Sequence, residues 1–157
     1  MIELDSKIKE ALMKLDFVGR YRTLSDNFNS ERIPLNNRLI YIDGEEIMEM
    51  IRKLGYSPQF DTKEKFYKIR EEQVENYTIG MHVILRDGMV DLVWVVKENG
   101  KLLLGAPWGT YSRRLVDSSC RIKKPVFGSY EDLDEILKTA FSMYEDFKKI
   151  LCFRTAH

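Results

Sequence analysis

Residues 78–105, TIGMHVILRDGMVDLVWVVKENGKLLLG, hold two turn signals, Asp87-Gly88 and Asn99-Gly100, each set between apolar runs. A type I′ hairpin turn needs positive φ at both central positions, and these dipeptides adopt it readily. The segment therefore reads as three antiparallel strands. Closing the first turn places Arg86 opposite Met89. It then pairs Leu85 with Val90, Val83 with Leu92, Met81 with Trp94 and Ile79 with Val96. Those four apolar pairs share one face, because strand side chains alternate. A slip of one residue would turn the whole set to the other side, so turns and pattern fix one register. The second turn extends the face. Val96 is expected to meet Leu103, and Trp94 to meet Gly105, where a missing side chain leaves room for the indole.

The opposite face is mixed. It carries Thr78, His82, Arg86, Asp91 and Lys97 among Ile84, Val93, Val95, Leu102 and Leu104. That is too apolar for the wet side of an antiparallel sheet. Either a helix covers part of it or part of it is a binding surface. Helix cover is the expectation, since sheets with helices at hand usually use them.

Helical periodicity surrounds this meander. Ile8, Ala11, Leu12 and Leu15 form a stripe over residues 5–15. Residues 19–37 are polar, rich in asparagine and interrupted by Pro34, and read as a long loop with at most a short helical turn. RLIYID (38–43) reads as a short strand. Asp43 caps a second helix, with Glu46 three residues on, a stripe of Ile47, Met50, Ile51 and Leu54, and Gly55 as its stop. A further helix is expected from Lys63 to Glu75, capped by Asp61 or Thr62, with Phe66 and Ile69 as its stripe. Residues 105–119 read as a turn-rich connection, and CRIKKPV (120–126) as a strand ended by Pro125.

The best-specified helix is the last. Ser129 caps it, Glu131, Asp132, Asp134 and Glu135 fill its first turns, and Lys148 and Lys149 suit its negative end. Leu133, Ile136, Leu137, Ala140, Phe141, Tyr144, Phe147 and Leu151 give it a broad apolar stripe. The layout is a single α+β domain over residues 1–157, an antiparallel meander packed with N-terminal helices and a long C-terminal helix. At 157 residues the chain is long enough for a substantial core.

Charge narrows the function classes. Lys plus Arg and Asp plus Glu number 25 each, so no global field favours nucleic acid or an anionic membrane. The N-terminus lacks a signal-peptide apolar run, and no segment approaches a membrane span, so a cytoplasmic protein is expected. The two cysteines, Cys120 and Cys152, form no CxxC and no zinc spacing, and are read as free structural thiols.

Assembled chemistry is scarce. His82 lies mid-strand opposite Val93, with Asp91 diagonally near enough to orient a ring nitrogen. This pair is the one candidate for a base, and the alternative reading is a half-exposed sheet histidine. His157 ends the chain. Cys120 sits among Arg113, Arg114, Arg121, Lys123 and Lys124, which could lower its pKa, but no histidine is placed to serve it. The many carboxylates fall on solvent-facing sides and first turns of helices, where capping and solvation explain them. No glycine-rich phosphate loop, GxSxG or HExxH is present, and no cofactor or metal is expected.

The stretch 108–124 has the composition of a contact surface. Trp108, Tyr111, Arg113 and Arg114 are residue types that dominate interface energetics, and they are the candidate partner-binding residues. The same basic, aromatic interleaving suits nucleic acid, but the neutral net charge argues against it. The rival readings are therefore a binding protein, an enzyme centred on His82 and Asp91, and a nucleic-acid-binding regulator using 108–124.

The meander with RDGMVDLVWVV and ENGKLLLG, followed by FGSYEDLDEILKTAFSMYEDFKKIL, resembles the small cytoplasmic immunity proteins of bacterial polymorphic-toxin and contact-dependent growth inhibition systems. The resemblance covers about a third of the chain. It implies non-enzymatic binding to one cognate toxin domain and transfers no specific residues. The neutral charge of this chain weighs against a strongly basic nuclease as the partner.

Overall fold

The computed structural model describes residues 3–153. Five strands form one antiparallel sheet in chain order: β1 (Pro58–Asp61), β2 (Phe66–Val74), β3 (Tyr77–Arg86), β4 (Met89–Glu98) and β5 (Lys101–Leu104). Five α-helices accompany it: α1 (Ser6–Lys14), α2 (Phe17–Asn27), α3 (Gly44–Lys53), α4 (Trp108–Leu115) and α5 (Tyr130–Phe153). The class is α+β.

The β3–β4 register is the one the turns dictate, with Met81 on Trp94, Val83 on Leu92 and Ile79 on Val96. Asp87, Gly88, Asn99 and Gly100 all have positive φ. Gly88 is required for a second reason, because Arg38 packs so close that a Cβ there would meet its side chain at 2.7 Å. The β4–β5 pairing begins as expected, with Glu98 opposite Lys101 and Lys97 opposite Leu102. A bulge then shifts it, so that Val96 meets Leu104 rather than Leu103. Trp94 consequently has no partner in β5. Instead Tyr111 of α4 closes this edge. Its hydroxyl accepts from the Trp94 N–H (3.0 Å) and donates to the Trp94 carbonyl (2.9 Å).

Five expected segments differ. The Lys63–Glu75 helix is instead the β1–β2 hairpin. Asp61 Oδ1 does accept from the N–H groups of Lys63 (3.0 Å) and Glu64 (2.8 Å), as a helix cap would. The turn stops at Lys65, whose φ is 61°, and the alternating Phe66, Tyr67, Lys68 and Ile69 continue as a strand. The long loop contains α2, whose Phe17, Tyr21 and Leu24 follow helical spacing into the core. Asp16 at φ 57° separates α1 from α2, and its carboxylate folds over Gly19, where a side chain would collide with it. The 105–119 connection contains α4, with Trp108, Tyr111 and Ser112 buried. Neither 38–43 nor 120–126 is a strand. The Leu39 N–H donates to the Phe127 carbonyl (3.0 Å), and 120–126 runs beside the start of β4, its Pro125 carbonyl accepting the Val90 N–H (2.9 Å) and its Val126 N–H donating to the Phe28 carbonyl (2.9 Å).

The helix at the C-terminal end starts as expected. Ser129 Oγ accepts from the Asp132 N–H (3.1 Å), and Asp132 reaches back to the Gly128 N–H (3.0 Å). It runs on to Phe153, so Lys148 precedes the last turn and does other work. Its ammonium is buried between Glu72 of β2 (2.7 Å) and Glu145 (2.8 Å), over the Tyr144 ring. Glu145 also accepts the Tyr56 hydroxyl. Burial alone would raise the Glu145 carboxyl, but the bonds from Lys148 and Tyr56 hold it below its ordinary value. A depressed carboxyl stabilises the fold above its unfolded pKa and loses that contribution as pH falls through the folded value. Stability is therefore expected to decline from about pH 4.5 downward. Glu145 is partly solvated, so screening limits its share to about 1 kcal/mol or less. Urea titrations from pH 7 to pH 3 should show a shallower acid slope in Glu145→Gln than in the parent chain; equal slopes would remove Glu145 from the account.

One hydrophobic cluster joins all five helices to a single face of the sheet. It includes Tyr67, Ile69, Ile79, Met81, Val83, Leu92, Trp94 and Val96, with Phe17, Trp108 and Phe147 from the helices. Trp94 sits at its centre, stacked on Phe147 at 4.7 Å and edge-on to Phe17 (5.6 Å) and Trp108 (5.2 Å). The opposite face receives no helix, contrary to expectation. Its apolar residues Phe66, Ile84, Val95 and Leu102 belong neither to the core cluster nor to the residues packed against it, whereas Val93 is buried and bridged to Pro107.

Candidate functional site

The four residues proposed from composition divide in two. Trp108 and Tyr111 are 1% and 0% exposed, their rings packed among Phe17, Tyr21 and Trp94. They hold α4 against the sheet and offer no surface to a partner. That corrects their assignment as contacts. The physical reason is their placement on the apolar stripe of a helix. Arg113 and Arg114 remain half-exposed on the other side of α4, where Arg113 donates to Thr110 Oγ1 (3.2 Å).

The rest of the 108–124 segment is held by its own contacts. Asp117 accepts from the Ser119 N–H and hydroxyl, and Arg121 donates to the carbonyls of Ser118 (2.9 Å) and Cys120 (3.0 Å). Cys120 is buried and free, and its sulfur accepts from the Arg22 guanidinium at 3.5 Å. Cys152 is likewise in no disulfide and is packed in the core, its thiol pushed up by burial and by Glu75 and Glu72.

His82 and Asp91 share a face but make no hydrogen bond to each other among the described residues. Asp91 accepts from the Leu92 N–H (2.9 Å) and lies 3.5 Å from the Lys124 ammonium. The His82 ring stacks on Phe66 at 4.3 Å. Burial, with Lys68 nearby, lowers its pKa, so the imidazole is neutral near pH 7. It serves there as a flat aromatic surface. His157 lies outside the described residues. No group of three His, Cys, Asp or Glu residues among those described could hold a metal ion.

Exposed apolar side chains lie elsewhere, Met13, Leu102 and Val116 among them. Tyr41 is 92% exposed, Leu35 66%, and Ile40 and Phe60 39% each. Tyr41 precedes Ile42, which lines a cleft of about 620 Å³ between the start of α3 and the β1–β2 hairpin. Ile42, Met48, Phe60, Tyr67 and Leu85 supply its apolar wall, and Asp43, Glu45 and Lys65 its polar rim. Sequence explains each wall. Asp43 caps α3 through the Glu45 N–H (3.0 Å) and is fixed in turn by the Tyr130 hydroxyl, which accepts its N–H (2.9 Å). Gly44 keeps the Tyr67 hydroxyl close, at 3.6 Å from where a Cβ would stand. Phe60 and Tyr67 lie cross-strand with ring centroids 4.9 Å apart. Burial raises the Tyr67 pKa, with Asp43 and Tyr130 adding to it, so the phenol stays protonated. Glu45 and Glu46 in the first turn of α3 make no ion pair among the described residues.

This site was missed in the sequence because RLIYID reads as a strand, and exposure of Tyr41 and Ile40 is a tertiary property. No family model, curated protein or solved structure matches the chain. No helix among the described residues is long and apolar enough to cross a membrane.

Proposed function

We propose that this chain is a non-enzymatic binding protein that neutralises a cognate bacterial toxin domain in the cytoplasm, and that the Tyr41–Phe60 cleft is where it grips that domain. The observation that carries the reading is an open cleft of about 620 Å³ with Phe60, 39% exposed, in its apolar wall and the 92% exposed Tyr41 next in sequence to its lining residue Ile42. An open cleft with an apolar wall and a polar rim, next to an exposed tyrosine, has the make-up of a contact site. The resemblance to immunity proteins supplies the class of partner. The carboxylates of Asp43 and Glu45 on the rim, with Glu46 next along the first turn of α3, favour a toxin segment with an apolar anchor flanked by Lys or Arg. Arg113 and Arg114 form a second, separate contact set.

The test is co-expression with the toxin domain encoded beside this gene, read by co-purification and by survival of the host cell. The wild-type chain is expected to do both. Tyr41→Ala and Phe60→Ala should each weaken binding about tenfold or more. If the wild-type chain neither co-purifies with that domain nor protects, the immunity reading fails. If it protects, and only an Arg113→Ala, Arg114→Ala double variant loses binding, the function stands and the contact lies on α4.

A further inference from the structure

We propose that the outer face of the sheet joins two copies of this chain about a two-fold axis. The face is apolar at its centre, and those residues serve no other packing purpose. Phe66, Ile84, Val95 and Leu102 lie outside the core and outside everything packed on it, and Leu102 is 58% exposed. The neutral His82 ring, stacked on Phe66, extends the same surface.

The charges identify the occupant. Their order along the strands reverses in sign about one line. His82 pairs with Val93, and Gly80 with Val95. On β2, Lys68 stands beside His82, while Glu71 crosses Gly80, its Cγ 3.0 Å from the position of a Cβ. On β4, Asp91 lies one outer-face position beyond Val93, and Lys97 one beyond Val95. A two-fold axis in the plane of the interface, running across the strands between these two rows, exchanges the rows. It sets Lys68 of one copy opposite Glu71 of the other. It also sets Lys97 opposite Asp91, whose carboxylate the same chain's Lys124 flanks at 3.5 Å, so Lys68 and Glu71 carry the charge argument.

Each opposition occurs twice, as an isologous interface demands. Strands packed this way stay within the aligned class of sheet-on-sheet packing. The chain has a formal net charge of +0, so two copies do not repel at long range. An acidic or basic foreign surface would match only half of this pattern. The cleft at Tyr41 takes its sheet residues, Phe60, Tyr67 and Leu85, from the other face, and the pairing stands or falls separately from the toxin reading.

Sedimentation velocity on the full chain, from about 1 µM to about 1 mM, should show a monomer–dimer equilibrium. Val95→Glu should raise the dimer dissociation constant about a hundredfold or more, with circular dichroism and melting unchanged. Leu102→Asp, at a more exposed position, should act the same way and guards against a folding defect in the first variant. Lys68→Glu and Glu71→Lys should each weaken the dimer, and the double variant should restore it to within about threefold. A wild-type chain that stays monomeric throughout overturns the proposal. So does a dimer that survives both apolar-to-acid variants. Failure of the double charge variant to restore association overturns the two-fold placement.

Discussion

Replacing Trp94 by alanine is expected to cost about 3–5 kcal/mol, the range for removing a fully buried indole. Trp94 is 0% exposed and meets rings from three helices, Phe17 of α2, Trp108 of α4, and Tyr144 and Phe147 of α5. These rings are anchored on separate elements, so they cannot collapse together into the space an alanine leaves. The loss therefore combines the transfer term with a cavity that stays largely open. For a chain of this length the melting midpoint should fall by about 10 °C or more. The measurement is urea or thermal unfolding of the variant beside Leu102→Ala, which removes an apolar side chain from the outer face. Leu102→Ala should change stability by about 0.5 kcal/mol or less. Equal effects at the two positions would mean that the core lies on the other side of the sheet.

That face was legible because two constraints of different origin agree. Asp87-Gly88 fixes where the chain reverses, and the apolar alternation fixes which side is buried. Neither would suffice alone. At the second turn only the first two pairs were readable, because the bulge beyond Lys97 is imposed by what packs on the edge and leaves no local mark. Asp61 shows a different failure. Its capping bonds to Lys63 and Glu64 are real, but a cap specifies one turn and not a helix. What decides is the conformation of Lys65 and the β-forming FYKI that follows.

Helices α2 and α4 were hidden by composition. Gly19, Asn27, Gly109 and Ser112 lower helix propensity, and tertiary burial of Phe17, Tyr21, Trp108 and Tyr111 overrides it. The spacing of those aromatic residues was the available signal. The binding surface was less legible still. Tryptophan, tyrosine and arginine are enriched both in interface hot spots and on the inner stripe of a helix, so composition could not separate the two uses. Tyr41 carries the exposed role that Tyr111 does not, and only the path of the chain from Leu39 to Asp43 distinguishes them.

Tyr111 provides the second large effect, and it separates packing from hydrogen bonding. Tyr111→Phe keeps the ring and removes the hydroxyl that satisfies both backbone groups of Trp94. No strand or water-exposed edge replaces it there, since Tyr111 is 0% exposed. Stranding a buried N–H and a buried carbonyl is expected to cost about 2–4 kcal/mol. Burial pushes the phenol far above its ordinary pKa, so the hydroxyl remains both donor and acceptor across the working pH range. Tyr111→Ala adds the cavity, for a total of about 4 kcal/mol or more. Amide exchange at Trp94 should quicken in Tyr111→Phe while exchange at Met81 and Val83, in the neighbouring strand, changes much less. If Tyr111→Phe instead melts like the parent chain and still weakens binding to the toxin domain, α4 is a contact element after all, and its phenol reaches the partner.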